Sequence, residues 1–181
     1  MERYVAFLRG INLGKHRRIK NPELVAHFEA IGAADVATFR ASGNVVFVDP
    51  AGEAESTVRE RLETGLGERL GYEVVVFLRS AAEVGEIAAR EPFDAQAIAA
   101  SKGKPQVQLL GRRPSAKAAK EALALAGPDD LMVVEGRELH WLPSVGLSET
   151  GVDMKALDRV LGKGTMRTAG TIEAIATKYC A

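Results

Sequence analysis

The sequence predicts an α+β fold that contains two ferredoxin-like subdomains packed together. Two observations support this prediction. The order strand, helix, strand, strand, helix, strand occurs twice along the 181 residues, and each copy places turn residues between its second and third strands. A further helix follows each copy. We therefore expect a first subdomain over residues 1–80, a helix and linker over 81–104, and a second subdomain with a C-terminal helix over 105–181.

Apolar periodicity and turn residues define the elements of the first half. Asn21 is expected at the N-cap of the first helix, with Pro22 at its first position. Ser42-Gly43-Asn44 is typical of a hairpin turn, and Thr57 with Glu60 is typical of a capping box for the second helix. The predicted elements are strand Arg3–Leu8, a helix from Asn21 to Gly32, strands Val36–Arg40 and Val45–Val48, a helix with Val58, Leu62, Leu66 and Leu70 on one face, and strand Tyr72–Leu78.

The second half repeats this order after a helix over Ala81–Arg90 and a connection over Glu91–Lys104. Gly136-Arg137 predicts a two-residue type II′ turn. The predicted elements are strands Gln106–Leu110, Leu131–Glu135, Glu138–Leu142 and Thr165–Thr168, and helices Pro114–Ala126, Asp153–Leu161 and Ile172–Tyr179. The halves have no obvious sequence identity, so an internal duplication rests on the pattern alone. A single mixed sheet built from the same elements is the alternative.

Composition limits the classes of function. Lys+Arg and Asp+Glu both number 24, so the chain lacks the basic excess of a dedicated nucleic-acid binder, and any anion site must be a local patch. A single cysteine excludes an intrachain disulfide and a multi-cysteine zinc site and fits a reducing compartment. The three histidines of the chain do not have the spacing of metal ligands, and no cofactor is predicted. The apolar runs are too short for a signal peptide or a membrane span, which favours a cytoplasmic protein.

Three stretches, "YVAFLRGINLG", "ASGNVVF" and "LHWLPSVGLS", stand in this order along the chain. Together they resemble the bacterial domain-of-unknown-function family 1697. The resemblance covers nearly the whole chain and is strongest over Tyr4–Val48. It implies a compact α+β protein and implies no particular reaction.

The chain departs from the family's pattern in three places. The family's first loop favours a second glycine where Lys15 follows Gly14, and a methionine commonly opens the first helix where Asn21 stands. Near the C-terminus the family favours Thr-x-Arg-Asn-Trp-Asn-Thr. This chain reads "TMRTAGT", which keeps the arginine as Arg167 but changes Thr168–Gly170.

The loop after the first strand is the main candidate binding segment. It reads "RGINLGKHRRIK" from Arg9 to Lys20. A phosphate-binding P-loop requires four residues between its glycines and a Ser or Thr after the lysine, and neither condition is met. A looser anion site stays open, with backbone amides and charged side chains as ligands. The alternative is a solvated basic loop. The residues that would form the site are Arg9, Gly10, Asn12, Gly14, Lys15 and Arg17.

Four further residues are candidate ligand contacts outside this loop. Ser42 and Asn44 belong to the hairpin turn, where Asn44, like Asn12, is expected at positive φ. Ser148 lies in a hydroxyl-rich stretch that is expected by default to cap the following helix, and Arg167 lies on the last strand. We expect the hairpin turn and Arg9 at opposite ends of the sheet, about 17 Å apart along the strands.

These observations leave several functions open. The favoured hypothesis is binding of an anionic small molecule or a nucleic acid through the Arg9–Lys20 loop. The first alternative is an enzyme of unknown reaction with a site between the subdomains. The second is a self-associating structural protein that forms homo-oligomers through exposed sheet faces or edges.

Overall fold

A computed structural model of the chain describes residues 1–11, 18–40 and 43–180. The strands in this part of the chain are β1 (Glu2–Arg9), β2 (Ala34–Thr38), β3 (Asn44–Asp49), β4 (Val75–Ser80), β5 (Gln106–Leu110), β6 (Leu131–Glu135), β7 (Glu138–Leu142) and β8 (Gly164–Thr168). The helices are α1 (Asn21–Ala30), α2 (Glu55–Leu70), α3 (Ala81–Ala88), α4 (Ala95–Ala100), α5 (Ala116–Leu123), α6 (Met154–Leu161) and α7 (Ala169–Tyr179). Among the described residues, no helix combines the length and apolar character needed to cross a bilayer.

The chain divides into two units, and each contains one four-stranded sheet. Unit 1 comprises Met1–Gly85 with Ile175–Ala181, and unit 2 comprises Glu86–Ala174. The strand order is β2-β3-β1-β4 in unit 1 and β6-β7-β5-β8 in unit 2, and every neighbouring pair is antiparallel. The first and third strands of each unit are therefore central, as in a β-α-β-β-α-β unit. The prediction of two ferredoxin-like subdomains is confirmed, and the single mixed sheet is wrong.

The core of unit 1 lies between its sheet and helices α1 and α2. Alternate residues of β1 face this core because successive strand side chains point to opposite faces. Its buried members include Tyr4, Ala6, Leu8, Leu24, Phe28, Phe47, Val58, Leu62 and Leu66. Val5 and Phe7, on the other face of β1, are also fully buried. Burial on both faces explains why β1 reads as a continuous apolar run rather than an alternating one.

The core of unit 2 has the same plan. Leu139 and Trp141 of β7 pack with Leu157 and Leu161 of α6 and with Ala122 of α5. The β6–β7 hairpin turns at Gly136-Arg137. Gly136 has φ +62°, and Arg137 is not among the described residues with positive φ. These signs match the predicted type II′ turn.

The predicted helix caps are wrong at three positions. Helix α1 has its N-cap at Lys20 rather than Asn21, because the Glu23 carboxylate accepts the Lys20 backbone N–H at 3.0 Å. Helix α2 begins at Glu55 after Ala54, so Thr57 lies inside its first turn.

The cap of α6 also differs from the expectation for the stretch around Ser148. Asp153, not a hydroxyl of that stretch, caps the helix by accepting the N–H groups of Lys155 and Ala156 at 2.9 and 3.0 Å. A carboxylate directly preceding the first helical residue reaches these amides, whereas Ser148 lies six residues before Met154.

The β2–β3 hairpin lies at the same end of the unit 1 sheet as the end of β1. Phe7 pairs with Asn44, and the Leu8 N–H donates to the Gly43 carbonyl at 2.8 Å. The expectation that Arg9 and the hairpin turn lie at opposite ends is therefore wrong. The hairpin lies beside the end of β1 because β1 and β3 are antiparallel, which puts the first residue of β3 next to the last residues of β1.

A buried carboxylate joins the end of β3 to helices α1 and α2. Asp49 is fully buried, and its Oδ1 forms an ion pair with Arg61 Nη2 at 2.5 Å. Asp49 Oδ2 accepts the Glu53 N–H at 3.0 Å. Arg61 also donates to the Ile31 carbonyl at 2.7 Å and to Glu53 Oε2 at 3.1 Å. Arg61 of α2 is therefore the cation that compensates Asp49 and fixes the end of α1.

We expect Arg61→Ala to destabilise unit 1 by about 3 kcal/mol, because it leaves a buried carboxylate without its counter-ion. Urea unfolding followed by circular dichroism measures this free energy. Arg69→Ala is the matched control, because Arg69 is an exposed arginine of the same helix. Equal free energies of unfolding for the two variants would contradict the account.

Candidate functional site

The end of the unit 1 sheet that contains the hairpin and the end of β1 is the first candidate site. We call it the basic edge, and among described residues it comprises Arg9–Ile11, Arg18–Lys20, Arg40, Gly43 and Asn44. Helix α1 must begin at this end, because α1 and β2 are joined by three residues at the far end and β2 returns towards the hairpin. The loop after β1 and the hairpin turn therefore lie at the same end of the sheet.

Two glycines allow the segments of the basic edge to approach closely. Gly10 has φ +100°, and a Cβ there would lie 3.0 Å from the Glu73 carbonyl oxygen. Gly43 has φ +70°, and a Cβ there would lie 2.8 Å from Ile11 Cδ1. Both positions combine a left-handed backbone with a packed neighbour, so a larger side chain is disfavoured on both grounds. The glycines thus shape the edge by packing.

Asn44 has a structural role at this edge. It is fully buried as the first residue of β3, and its Nδ2 donates to the Phe39 carbonyl at 3.0 Å across the hairpin. The expected positive φ at Asn44 is wrong, because pairing with Phe7 holds it in extended backbone. Within the described ranges, the non-glycine residues at positive φ are Asp35 and Arg40, with φ +48° and +59°.

The start of helix α1 offers little to an anion. Its first turn contains Pro22, which has no N–H, and Glu23, whose carboxylate accepts the Lys20 N–H. A second negative group placed there would meet this carboxylate rather than a row of free amides. An anion at the start of α1 would therefore depend on cationic side chains rather than on the amides of this helix.

The other predicted contacts are distributed as follows. Asn12, Gly14, Lys15, Arg17 and Ser42 lie outside the described residues. Arg9 is half-buried at the end of β1, Ser148 is exposed in a turn of unit 2, and Arg167 is half-buried on β8. Arg9 and Gly10 thus share an edge with Asn44, and Ser148 and Arg167 belong to the other unit.

Arg167 is held by its own strand. Its Nη1 donates to Thr165 Oγ1 and to the Met166 carbonyl, both at 2.8 Å. Burial lowers the pKa of Arg167 to about 10, so the guanidinium stays protonated at neutral pH. It does not line the cavity described next.

Unit 2 contains a cavity of about 590 Å³ that the sequence did not indicate. It lies against the face of the sheet opposite the core with α5 and α6, since Val107 and His140 line it and Leu139 and Trp141 do not. Its walls are the end of α3, the segment through α4, the start of β5 and the first turn of α7. The buried apolar lining is Ile87, Phe93, Val107 and Ile172. We call it the unit 2 cavity, and its volume is in the range of small-molecule sites.

His140 is the most unusual polar residue of this cavity. It is 3% exposed, and its Nε2 is buried with no hydrogen-bond partner among the described residues. Burial lowers the pKa of His140, and the nearby positive charge of Arg90 lowers it further, while Glu138 and Glu135 oppose the change. His140 is therefore a neutral imidazole at physiological pH, buried at an energetic cost that a hydrogen-bond partner would remove.

Arg90 joins the wall of the cavity to the β6–β7 hairpin. Its Nη1 donates to Glu138 Oε2 at 2.7 Å, and its Nε lies 3.3 Å from Glu135 Oε1. Glu138 is 3% exposed, so this pair is largely removed from water and fixes the arginine. Glu138 and His140 lie on one face of a predicted strand, which is a local signal for these two polar residues but not for the cavity.

No metal site is evident in the part of the chain that the structure describes, because it contains no group of three or more His, Cys, Asp or Glu side chains placed to hold an ion.

Comparisons with known proteins place the chain without assigning an activity. Residues 1–140 match the family model described as "Protein of unknown function (DUF1697)". No curated protein matches. The chain is also similar to the solved structure of a conserved bacterial protein from Streptococcus pneumoniae, with a TM-score of 0.72 and 16% identity, covering 98% of this chain and 97% of that chain. At this identity the likeness supports the fold alone.

We expect His140→Gln to reduce the loss of stability at mildly acidic pH. The folded-state pKa of His140 lies below its ordinary value of 6.5, so between the two values the unfolded chain binds more protons and the free energy of unfolding falls as the pH falls. Gln cannot take up that proton. Urea unfolding at about pH 7.5 and about pH 5.5, normalised to the value at the higher pH, measures the difference.

The control for this experiment is His27→Gln, on helix α1 of unit 1. This variant removes an imidazole from the other unit and so measures the effect of losing a histidine elsewhere in the chain. If His140→Gln shows the same fall as wild type, His140 is not the titrating group.

Proposed function

We propose that this chain, which belongs to the DUF1697 family of proteins of unknown function, binds a phosphate-bearing ligand at the basic edge of unit 1. The observation that carries the proposal is the convergence of two basic segments at one end of the sheet. The antiparallel β1–β3 pairing brings the segment that follows β1 and the hairpin turn together.

The charged side chains of these two segments are all positive. Residues 9–20 and 40–44 contain Arg9, Lys15, Arg17, Arg18, Lys20 and Arg40 and no Asp or Glu. The whole chain carries equal numbers of acidic and basic residues. The excess of positive charge in these two segments is therefore local and not a property of the whole chain. Such a field attracts anions and raises their local concentration.

The chemistry of the side chains favours phosphate over a single carboxylate. Arginine presents a planar fork of donors that matches two phosphate oxygens, and four of the six cations are arginines. Arg18 and Arg40 are exposed on the two segments. An anion bridging both segments would use charge-assisted bonds from each, and the glycine packing at Gly10 and Gly43 supports a fixed distance between them.

We expect a fluorescein-labelled single-stranded oligonucleotide to bind the protein, with fluorescence anisotropy as the measurement. Arg18→Gln/Arg40→Gln should weaken this binding by about tenfold or more, because two charged hydrogen bonds are lost. The slope of log affinity against log salt should also become shallower by about 1.4. The control is Lys155→Gln/Arg159→Gln, which removes two exposed positive charges from helix α6 of unit 2.

Competition with pyrophosphate distinguishes the two sources of phosphate. Displacement of the oligonucleotide by micromolar pyrophosphate supports a small phosphorylated ligand. Salt-sensitive binding without such displacement supports nucleic acid. Equal loss in the α6 control, or no binding of either probe, overturns the proposal.

A further inference from the structure

We infer that the unit 2 cavity is a binding site for a small organic cation, in which an ammonium or amidinium group is attached to an apolar body. The inference does not rest on the proposed function, because all residues that line this cavity belong to unit 2. Three features of the cavity support it: the apolar floor, the acidic mouth and a buried polar group.

The floor of the cavity fits an apolar body. Ile87, Phe93, Val107 and Ile172 are each at most 8% exposed. Pro92 and Pro105 add rigid apolar surface to the same walls. A volume of about 590 Å³ accepts an aromatic or branched aliphatic group, whose transfer from water is favourable in proportion to the apolar area buried.

The mouth of the cavity is acidic. Glu91, Asp94 and Glu173 line it and are exposed, so they lie where the cavity meets solvent. Glu91 and Glu173 have no ion-pair partner among the described residues. Asp94 caps helix α4 by accepting the Ala97 N–H at 2.7 Å.

The one cation among the lining residues is already compensated. Arg90 is bound by Glu138 and Glu135 of the hairpin. The mouth therefore presents an excess of negative charge, and an anionic ligand would meet three carboxylates before reaching the apolar floor. A cationic head group would be attracted by the same three carboxylates.

The buried imidazole gives the cavity a specific polar contact. His140 lines the cavity, and its Nε2 has no hydrogen-bond partner in the described part of the chain. In the neutral tautomer that carries the ring proton on Nδ1, this nitrogen is an acceptor, and a ligand N–H that donates to it would remove the cost of its unpaired burial. Donors of this kind occur on ammonium and amidinium groups and are absent from carboxylates.

A matched set of three probes tests the charge preference. 3-Phenylpropylammonium, 3-phenylpropanol and 3-phenylpropanoate share an apolar body and differ in head group. Each is titrated into the full chain, with affinity from isothermal titration calorimetry and location from NMR shifts of the His140 imidazole. We expect the cation to bind at least about fivefold more tightly than either other probe and to shift the His140 signals.

Two variants locate the site. Ala95→Phe places a large group at an exposed position of α4 that lines the cavity, and it should abolish binding. Ala99→Phe makes the same change at an exposed position of α4 outside the lining and should leave binding unchanged.

A double variant tests the charge of the mouth. Glu91→Gln/Glu173→Gln should weaken cation binding by about fivefold and leave binding of the alcohol unchanged.

The inference is overturned if no probe binds, if the alcohol or the carboxylate binds as tightly as the cation, or if Ala95→Phe and Ala99→Phe behave alike. The Arg18→Gln/Arg40→Gln variant should bind the cation as wild type does. Failure at the basic edge and failure at the cavity are therefore separate results.

Discussion

The antiparallel pairing of β1 with β3 is the constraint on which the proposed binding edge of unit 1 depends. Two adjacent contacts define it: the Leu8 N–H donates to the Gly43 carbonyl, and Phe7 pairs with Asn44. This register places the hairpin turn beside the loop that follows β1 and concentrates basic side chains from two distant segments. Unit 2 has the corresponding bond, from the Leu110 N–H to the Arg137 carbonyl at 2.9 Å. The same pairing rule therefore organises both sheets.

The central strands of both sheets are largely buried on both faces. In β1 both faces are apolar, as Val5 and Phe7 show. In β7 one face is apolar, whereas the other carries Glu138 and His140. Polar groups at such positions are costly unless they are paired. Glu138 is paired with Arg90, whereas the Nε2 of His140 is not paired within the described ranges. A ligand in the cavity that donates to this nitrogen would supply the missing partner.

The sequence predicted the strands well because short apolar runs bounded by turn residues are local signals. Strands β5, β6 and β7 begin and end where these runs do. Helix α4 was not predicted, since six residues rich in alanine carry no apolar stripe. The hairpin turn was predicted at the wrong end of the sheet, although the predicted order of elements determines its position. Because β1 and β2 are parallel and joined through one helix, the C-terminal ends of both strands lie at the same end of the sheet. The cavity had no local signal, since its lining comes from separate elements that only the fold brings together.

The most direct test of the central claim is an NMR titration of the backbone amides with the single-stranded oligonucleotide. If the two basic segments form one site, the amides of Arg9 to Ile11 and those of Arg40, Gly43 and Asn44 shift together. They should follow a single saturating curve with one dissociation constant. Shifts confined to one segment, or small non-saturating shifts spread over both units, would contradict the account.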